Sequence, residues 1–372
     1  MKYDVLIIGA GISGLTLAER YSNLLNQKVL VIDKRDHIGG NCYDYVNDIG
    51  ILVPKYGPHF FHTNNEKVWD YVSQFTEWHP YEHKVLGFIN NKLVPIPVNI
   101  ITVNTLLNLN LQNEEDMNKF LSNETEKFEI IENSEHSALS RVGKRLYELI
   151  FKNYTFKQWD QYPENLDASV LNRIPVRNNF DDRYFTDKYQ AMPKNGYTKL
   201  FEKMINHPKI ELRLNTDYFN IKEDICYSKM FFTGPIDRFF EYVYGEKLQY
   251  RSLKFKHENI EKSYYQAAAQ INYPNEHEYT RITEPKHCYG VRNKKTTIIK
   301  EFPTWEGEGY YPVPNERNLK IYNKYQELAR QAEKDNKYFI GRLATYKYIN
   351  MDEAFMHALN LFEKLEVNEV RN

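Results

Sequence analysis

The alternation of apolar and polar residues is most regular over the first 33 residues. Residues 3–8 form a short apolar run rich in β-branched side chains, and Gly-Ala-Gly-Ile-Ser-Gly follows at 9–14. Apolar residues then recur at helical spacing, and a second apolar run at 28–32 ends in Asp33. This order predicts a buried strand, a tight turn, a helix and a second buried strand.

The residues of the glycine-rich turn are suited to binding a dinucleotide. Gly9 permits the sharp turn, Gly11 lets backbone N–H groups approach a pyrophosphate, and Gly14 lets the helix pack against the sheet. We also expect Ser13, in the same turn, to bind the cofactor, and Asp33 stands where such folds place the acid that binds a ribose hydroxyl. The sequence therefore predicts a dinucleotide-binding domain.

The residues that follow Asp33 favour FAD as the dinucleotide. Lys34 opens a stretch with a second glycine pair, Gly39 and Gly40, followed by Asn41. This extension resembles that of FAD-binding proteins of the glutathione-reductase and amine-oxidase type, and a plain NAD dehydrogenase does not need it. We therefore expect Lys34, Gly40 and Asn41 in an FAD site, with NAD as the lesser alternative.

Beyond residue 80 the spacing of the apolar residues changes several times between strand-like and helical periods. Residues 85–96 predict two strands joined by an Asn90-Asn91 turn. Helical spacing dominates 102–156, interrupted by a polar stretch at 113–127. Further strands are predicted, in chain order, at 210–214, 229–233, 279–282, 296–302 and 338–342. A C-terminal helix is predicted from Asn350.

These elements predict an α/β fold: a discontinuous Rossmann-like FAD-binding domain with an inserted helical domain and an antiparallel β-sheet domain. The buried strands at 210–233 indicate that the chain re-enters the first domain there. The expected boundaries are 1–78, 195–236 and 306–372 for the FAD-binding domain, 100–172 for the helical substrate domain, and 79–99, 173–194 and 237–305 for the sheet domain.

Composition narrows the functional class further. A formal net charge of −1 over 372 residues argues against a nucleic-acid-binding surface. Three separated cysteines form no metal or disulfide pattern, so a reduced, cytoplasmic protein is expected. The first apolar run is too short for a signal peptide, and no run is long enough for a membrane span. His59 and His62 have no third ligand at suitable spacing, so no metal is expected.

At eight stretches the sequence resembles the prokaryotic, FAD-dependent UDP-galactopyranose mutase family. They are residues 34–41, 55–63, 153–159, 166–177, 181–197, 232–237, 311–315 and 341–352. The resemblance implies interconversion of UDP-galactopyranose and UDP-galactofuranose, or of a related UDP-sugar, without net redox change. It implies reduced FAD, whose N5 attacks the anomeric carbon and expels UDP. It also implies a reductant such as NAD(P)H, a homodimer and a role in polysaccharide biosynthesis.

The resemblance assigns roles to residues of this chain. Arg173 and Arg281 are expected to bind the departing diphosphate, because a guanidinium offers paired donors to an anion. Phe151 and Tyr154, three apart on one helix face, are expected to hold the uracil by stacking. The remaining expectations are Trp159 for the sugar wall; Tyr184, Tyr311, Tyr346 and Tyr348 for the phosphates; and His59, His62, Arg342, Met351 and Asp352 for the flavin. The two histidines, like the two arginines, are expected to be catalytic.

Several points stay open at the level of sequence. Asp160, Pro54 and Pro285 depart from the usual family pattern, so a pentose, an N-acetylated sugar or a deoxy sugar is also open as substrate. Arg173 lies in a segment, 160–185, expected to close over the substrate. The alternatives to a mutase are an FAD-dependent oxidoreductase of the amine-oxidase type and a non-catalytic nucleotide-sugar or flavin sensor.

Overall fold

The computed structural model describes residues 2–366. The strands are β1 (Lys2–Ile8), β2 (Val29–Ile32), β3 (Asp44–Val46), β4 (Leu52–Pro54), β5 (Phe61–Thr63), β6 (Trp78–Pro80), β7 (Val85–Ile89), β8 (Lys92–Pro95), β9 (Tyr189–Pro193), β10 (Ile210–Arg213), β11 (Cys226–Phe232), β12 (Tyr250–Ile260), β13 (Gln270–Asn272), β14 (Arg281–Thr283), β15 (Thr296–Thr304), β16 (Tyr311–Pro312) and β17 (Lys337–Phe339). The helices are α1 (Ile12–Leu25), α2 (Glu66–Ser73), α3 (Ile100–Leu107), α4 (Glu114–Glu124), α5 (Ser134–Leu146), α6 (Asn153–Trp159), α7 (Ser169–Asn172), α8 (Tyr197–Met204), α9 (Tyr218–Ile221), α10 (Ile236–Phe239), α11 (Lys286–Tyr289), α12 (Glu316–Ala332) and α13 (Met351–Glu366).

A five-stranded parallel sheet in the order β10-β2-β1-β11-β17 forms the centre of the first domain. All four residues of β2 are buried, as expected for a parallel strand covered on both faces. Helices α1 and α13 pack against each other beside this sheet. The predicted return of the chain to the sheet at 210–233 is confirmed, because β10 and β11 flank β2 and β1.

A seven-stranded sheet in the order β16-β12-β15-β14-β13-β7-β8 forms the second layer of structure. The predicted hairpin is present as β7 and β8, and Asn90 and Asn91 take φ angles of 50° and 59° in its turn. The sheet is not wholly antiparallel as predicted, because β7 pairs with β13 in parallel. Two strands that are far apart in sequence can pair in parallel or antiparallel, and the apolar pattern does not determine which.

The helical part contains one helix that the pattern did not predict. Residues 113–127, expected to interrupt the helices, contain α4. The side chain of Asn113 caps it by accepting a hydrogen bond from Asp116 N, and Met117 and Phe120 bury its inner face. Two buried apolar residues in an otherwise polar stretch are too few to produce a recognisable helical periodicity.

Helix α5 continues into one turn of π-helix at residues 147–152 and then into α6. Gly143 sits just before this change with φ of 73°, and a Cβ there would lie 2.3 Å from Glu124 O. π-Turns inside helices often occur at functional sites. The irregular turn sets the direction in which α6 leaves the helical part. Among residues 2–366, no helix combines the length and apolar character needed to cross a membrane.

Candidate functional site

A large cleft opens at the carboxyl ends of β1, β2 and β11, next to the N-terminus of α1. It contains about 1360 Å³ of empty space, part of which is open to solvent. From β1 the chain continues to β2 on one side, and later it crosses from β10 to β11 on the other side of β1. Ligands of open parallel sheets bind where the strand order reverses in this way.

The floor of the cleft has the shape that a dinucleotide requires. Gly9 has φ of +110°, and a Cβ on Gly14 would lie 2.0 Å from Gly9 O. Gly11 has no side-chain neighbour within 4 Å of its ideal Cβ position and faces Gly40 across the floor. No side chain caps the N-terminus of α1. Its free N–H groups therefore face a space without side chains, which fits a pyrophosphate.

Asp33 stands at the end of β2 and lines the cleft with Lys34, Gly40 and Asn41. Its two carboxylate oxygens accept hydrogen bonds from Ala10 N at 2.8 Å and Arg35 N at 2.9 Å. A carboxylate offers about four acceptor positions, so this orientation leaves positions for ribose hydroxyls. Glu308 pairs with both Lys34 and Arg35 at the rim, an ion pair that the sequence did not predict.

The other end of the cleft is lined by His59, Arg342 and Met351. Removal from water lowers the pKa of His59 to about 4, and Arg342 and Arg281 add to the effect. His59 is therefore neutral near pH 7, and its Nδ1 lies 3.1 Å from Gly57 O. A neutral imidazole beside a cofactor ring shapes its surroundings without adding charge.

The residues predicted beside the flavin are not all in the cleft. His62 does not line it: its ring stacks on Phe185 at 3.6 Å, and Nδ1 lies 3.0 Å from Asp187 Oδ2. Asp352 follows Met351 at the start of α13 but does not line the cleft either. Removal from water raises the pKa of Asp352, against a hydrogen bond from Thr63. The expectation that these two side chains lie beside the flavin stays a prediction.

Arginine and tyrosine side chains from separate parts of the chain meet around Arg342, which lines this end of the cleft. Tyr348 lies between the guanidinium groups of Arg173, 4.3 Å from its ring, and Arg342, at 4.7 Å. Tyr311 stacks on Tyr348 with ring centres 6.0 Å apart. Partial removal from water acts to raise the pKa of Tyr348, but the guanidiniums of Arg173, Arg342 and Arg281 outweigh it and lower that pKa. Tyr184 lies close enough to Arg173 and Arg281 for both guanidiniums to act on its pKa. We call Arg173, Arg281, Arg342, Tyr184, Tyr311 and Tyr348 the arginine–tyrosine cluster.

Arg281 is held in this cluster by a carboxylate that the sequence did not single out. It stands opposite Glu301 across β14 and β15, and Nε lies 2.8 Å from Glu301 Oε2. Glu301 is fully buried, and burial raises its pKa although Arg281 opposes the shift. This pair could have been predicted only from the register of the two strands, because directly opposed residues lie on the same face of the sheet.

The predicted uracil-stacking pair does not present two open rings. Phe151 is only 4% exposed and packs in the core of the helical part. Tyr154, on α6, is the more open member, and its pKa is raised to about 12 by removal from water, with Arg281 opposing. Trp159, at the end of the same helix, packs against Leu166 and stands edge-on to Tyr311.

Tyr346 does not join the cluster, contrary to the expectation that its hydroxyl contacts phosphates. The hydroxyl donates to Gln249 O at 2.6 Å and accepts from Val313 N at 3.2 Å. Its ring is 3% exposed and stacks on Tyr322 in a separate apolar cluster. We therefore assign Tyr346 a structural role in holding β16.

The positions that depart from the family pattern also have defined places. Asp160 is exposed, and its Oδ2 accepts a hydrogen bond from Trp305 Nε1 at 2.7 Å, so its carboxylate is committed to that indole. Pro54 and Pro285 line a small second cavity behind His59. His83, which the sequence did not single out, is buried and stacks on Phe60, and burial lowers its pKa to about 3. The residues described here include no group of three His, Cys, Asp or Glu side chains that could hold a metal ion.

Fold and site together define a dinucleotide-binding α/β protein whose cleft borders a cationic cluster of arginine and tyrosine side chains. Comparisons with known proteins identify its family. The UDP-galactopyranose mutase domain matches residues 149–348, and an NAD(P)-binding Rossmann-like domain matches residues 7–75. The chain belongs to the UDP-galactopyranose mutase family.

The similar proteins span almost the whole chain. A probable UDP-galactopyranose mutase of Klebsiella pneumoniae is 39% identical, covering 96% of this chain and 93% of the relative. A dTDP-fucopyranose mutase of Escherichia coli is 40% identical, covering 95% and 96%. A crystal structure of reduced UDP-galactopyranose mutase superposes with a TM-score of 0.79 at 17% identity, covering 99% and 96%, and supports the fold.

These findings confirm the predicted family, the α/β fold class and the mutase class of enzyme, an isomerase. They do not favour the amine-oxidase alternative. The glycine floor, Asp33 and the free N-terminus of α1 fit the dinucleotide part of a flavin cofactor. The predicted domain boundaries stay a prediction, although the parallel sheet draws its strands from the three segments expected for the FAD-binding domain.

Proposed function

We propose that this enzyme interconverts the pyranose and furanose forms of a nucleotide-linked sugar, with UDP-galactose as the first candidate substrate. The observation that carries the proposal is the arginine–tyrosine cluster at the end of the dinucleotide cleft. Three guanidinium groups close to one tyrosine, Tyr348, suit a diphosphate, which gains negative charge as it leaves the anomeric carbon. The sugar would then lie between this cluster and the cofactor.

The residues of the chain take distinct roles in this proposal. Arg173 and Arg281 bind the diphosphate, and Glu301 keeps the guanidinium of Arg281 at a fixed place. Tyr184, Tyr311 and Tyr348 donate or accept hydrogen bonds at the phosphate oxygens. Tyr154 covers the base, backed by Phe151, and Trp159 backs the sugar side. Neutral His59 keeps its side of the cofactor uncharged.

FAD in the reduced state is the cofactor we assign to the cleft, held by Gly9, Gly11, Ser13, Gly14, Asp33, Lys34, Gly40, Asn41, His59, Arg342 and Met351. When bound, reduced FAD supplies the nucleophile for the anomeric carbon, and the reaction consumes no electrons overall. NAD(P)H or another reductant would reduce the flavin. We further propose a cytoplasmic homodimer that serves polysaccharide biosynthesis.

The nucleotide and the sugar are the finer part of the proposal. A dTDP-fucopyranose mutase is as similar to this chain as a UDP-galactopyranose mutase, so a deoxy sugar on a thymidine nucleotide is the second candidate. The test incubates the dithionite-reduced protein with UDP-galactose, UDP-arabinopyranose, UDP-N-acetylgalactosamine or dTDP-fucose and separates the products by chromatography.

We expect an isomeric nucleotide sugar from at least one substrate, and only after reduction. The substrate with the highest kcat/KM identifies the nucleotide and sugar. No isomer from any of the four, despite bound and reducible FAD, would contradict the proposal.

A further inference from the structure

Lys157 lies on α6 between Tyr154 and Trp159, and its ammonium group is enclosed by backbone carbonyls of one loop. The loop is residues 273–280, which joins β13 to β14. Nζ donates to the carbonyl oxygens of Tyr273, Glu276 at 3.3 Å, His277 at 3.2 Å and Tyr279 at 3.2 Å. An ammonium has three donors and no acceptor, so a ring of carbonyls is a well-matched partner for it.

Four further hydrogen bonds tie α6 and the turn before it to the seven-stranded sheet and its 273–280 loop. Asn153 Nδ2 donates to Asn275 Oδ1 at 2.9 Å, and Asn275 Nδ2 donates to Leu149 O at 3.0 Å. Arg251, on β12, is 3% exposed and donates to the carbonyl oxygens of Gln158 and Lys157 at the end of α6. A cation at a helix C-terminus also meets the negative end of the helix dipole.

Helix α6 and the 273–280 loop, which Lys157 joins, carry different parts of the site. Helix α6 presents Tyr154 and Trp159, whereas the loop at 273–280 leads directly into Arg281 at the start of β14. Tyr154 is close enough to Arg281 for the guanidinium to affect its pKa. The base wall and the diphosphate arginine thus belong to two elements that Lys157 joins.

The environment of Lys157 fits a structural ammonium rather than a surface charge. Removal from water lowers the pKa of Lys157 to about 8, with Glu276 opposing the shift. The loop contributes His277, Tyr273 and Tyr279 beside it, and Arg251 approaches from β12. Carbonyl dipoles rather than a carboxylate therefore provide most of the partners of this charge.

We propose that Lys157 is a positioning residue that sets the distance between the Tyr154–Trp159 face of α6 and Arg281. It does not touch the substrate, but it fixes the spacing that allows one nucleotide diphosphate to meet both sides. The inference rests on the proposed function, because it assumes that the base and the diphosphate bind at these two elements. Displacements of about 1 Å in such a frame cost up to about a hundredfold in rate.

The experiment measures UDP and dTDP binding by calorimetry on the flavin-loaded protein, together with kcat and KM. The variants are Lys157→Met, Lys157→Arg and Asn275→Ala. The matched control is Lys92→Met, since Lys92 also donates to a backbone carbonyl, that of Thr105 at 2.7 Å, but on the β7–β8 hairpin. Thermal unfolding of each variant separates loss of binding from loss of fold.

We expect Lys157→Met to weaken nucleotide binding roughly tenfold or more, with a rise in KM. Lys157→Arg, which keeps charge and donors, should recover most of the affinity, and Lys92→Met should bind as the wild type does. Asn275→Ala, at an exposed position, should weaken binding in the same direction but less, and it tests the anchor should Lys157→Met fold poorly.

Unchanged affinity and KM in both Lys157→Met and Asn275→Ala would overturn the positioning role and leave the proposed function intact. Equal loss in Lys157→Met and Lys157→Arg would also overturn it, because the arginine would then fail to rescue. A wild-type protein that binds neither UDP nor dTDP would overturn the proposed function and this inference with it.

Discussion

Two tyrosines separated by a single residue show how position decides chemistry. Tyr346 and Tyr348 occupy one segment after β17, but the hydroxyl of Tyr346 is used by backbone groups whereas Tyr348 lies between two arginines. Arg342 Nη2 donates to Ile349 O at 2.7 Å and holds this segment in place. A single residue therefore separates a structural phenol from a candidate ligand-binding one.

The role of Arg173 leads to a prediction about turnover. Its side chain is exposed and rests on the ring of Tyr348, so its removal should cost little stability. Arg173→Met should lower kcat by about a hundredfold or more, as for loss of one group that stabilises charge in a transition state. Steady-state kinetics with thermal unfolding checks this, with Arg145→Met, which breaks an exposed pair with Glu124, as control. Activity within a few-fold of wild type would count against diphosphate binding.

The lowered pKa of Tyr348 leads to a prediction about pH. Positive charge from Arg173, Arg342 and Arg281 favours the phenolate, so the pKa of this hydroxyl should lie below the ordinary value for a tyrosine. A spectrophotometric titration of phenolate absorbance should show an early step that Tyr348→Phe removes. UDP should shift that step upward, because a bound diphosphate offsets the three cations. An identical titration in the variant would show that the cluster does not act on Tyr348.

Among the elements, the apolar pattern predicted several pieces with strong periodicity, although not the amphipathic helix α12. The β1–α1–β2 unit, the hairpin and the start of α13 were predicted correctly, because each is a continuous buried run or a regular helical face. Helix α4 was missed, since it depends on a cap at Asn113 and two buried side chains. The parallel pairing of β7 with β13 was missed because it joins strands far apart in sequence.

The turn between β1 and α1 gives a prediction about cofactor binding. A Cβ at residue 14 would lie 2.0 Å from Gly9 O and 3.0 Å from Ile7, so Gly14→Ala must displace α1 from the sheet. The variant should purify with little or no FAD. Gly50→Ala is the control for a glycine-to-alanine change away from the cleft, because nothing lies within 4 Å of the new Cβ; its φ of +77° adds local backbone strain but no contact with the cofactor site. The ratio of flavin to protein absorbance measures the outcome, and full FAD content in Gly14→Ala would contradict the assigned cleft.

At the scale of the whole molecule, the site combines parts that only the fold brings together. The cleft residues at 9–41 could be predicted from sequence, because the fingerprint is local. Arg173 and Arg281 were identified by resemblance, but Glu301 and Lys157 were not, since their partners are set by strand register and by the contact of α6 with the sheet. The contacts of Tyr346 and His62 could not be predicted for the same reason. The Tyr346 hydroxyl bonds to backbone groups, and the His62 ring lies against Asp187.

In the proposed reaction the enzyme rearranges its substrate without consuming electrons. To test this, the bound flavin is reduced once under anaerobic conditions, the reductant is removed, and a large excess of UDP-galactose or dTDP-fucose is added. We expect isomeric product far in excess of flavin, while the flavin spectrum stays that of the reduced form. Product limited to one equivalent per reduced flavin, accompanied by flavin oxidation, would contradict it and indicate an oxidoreductase.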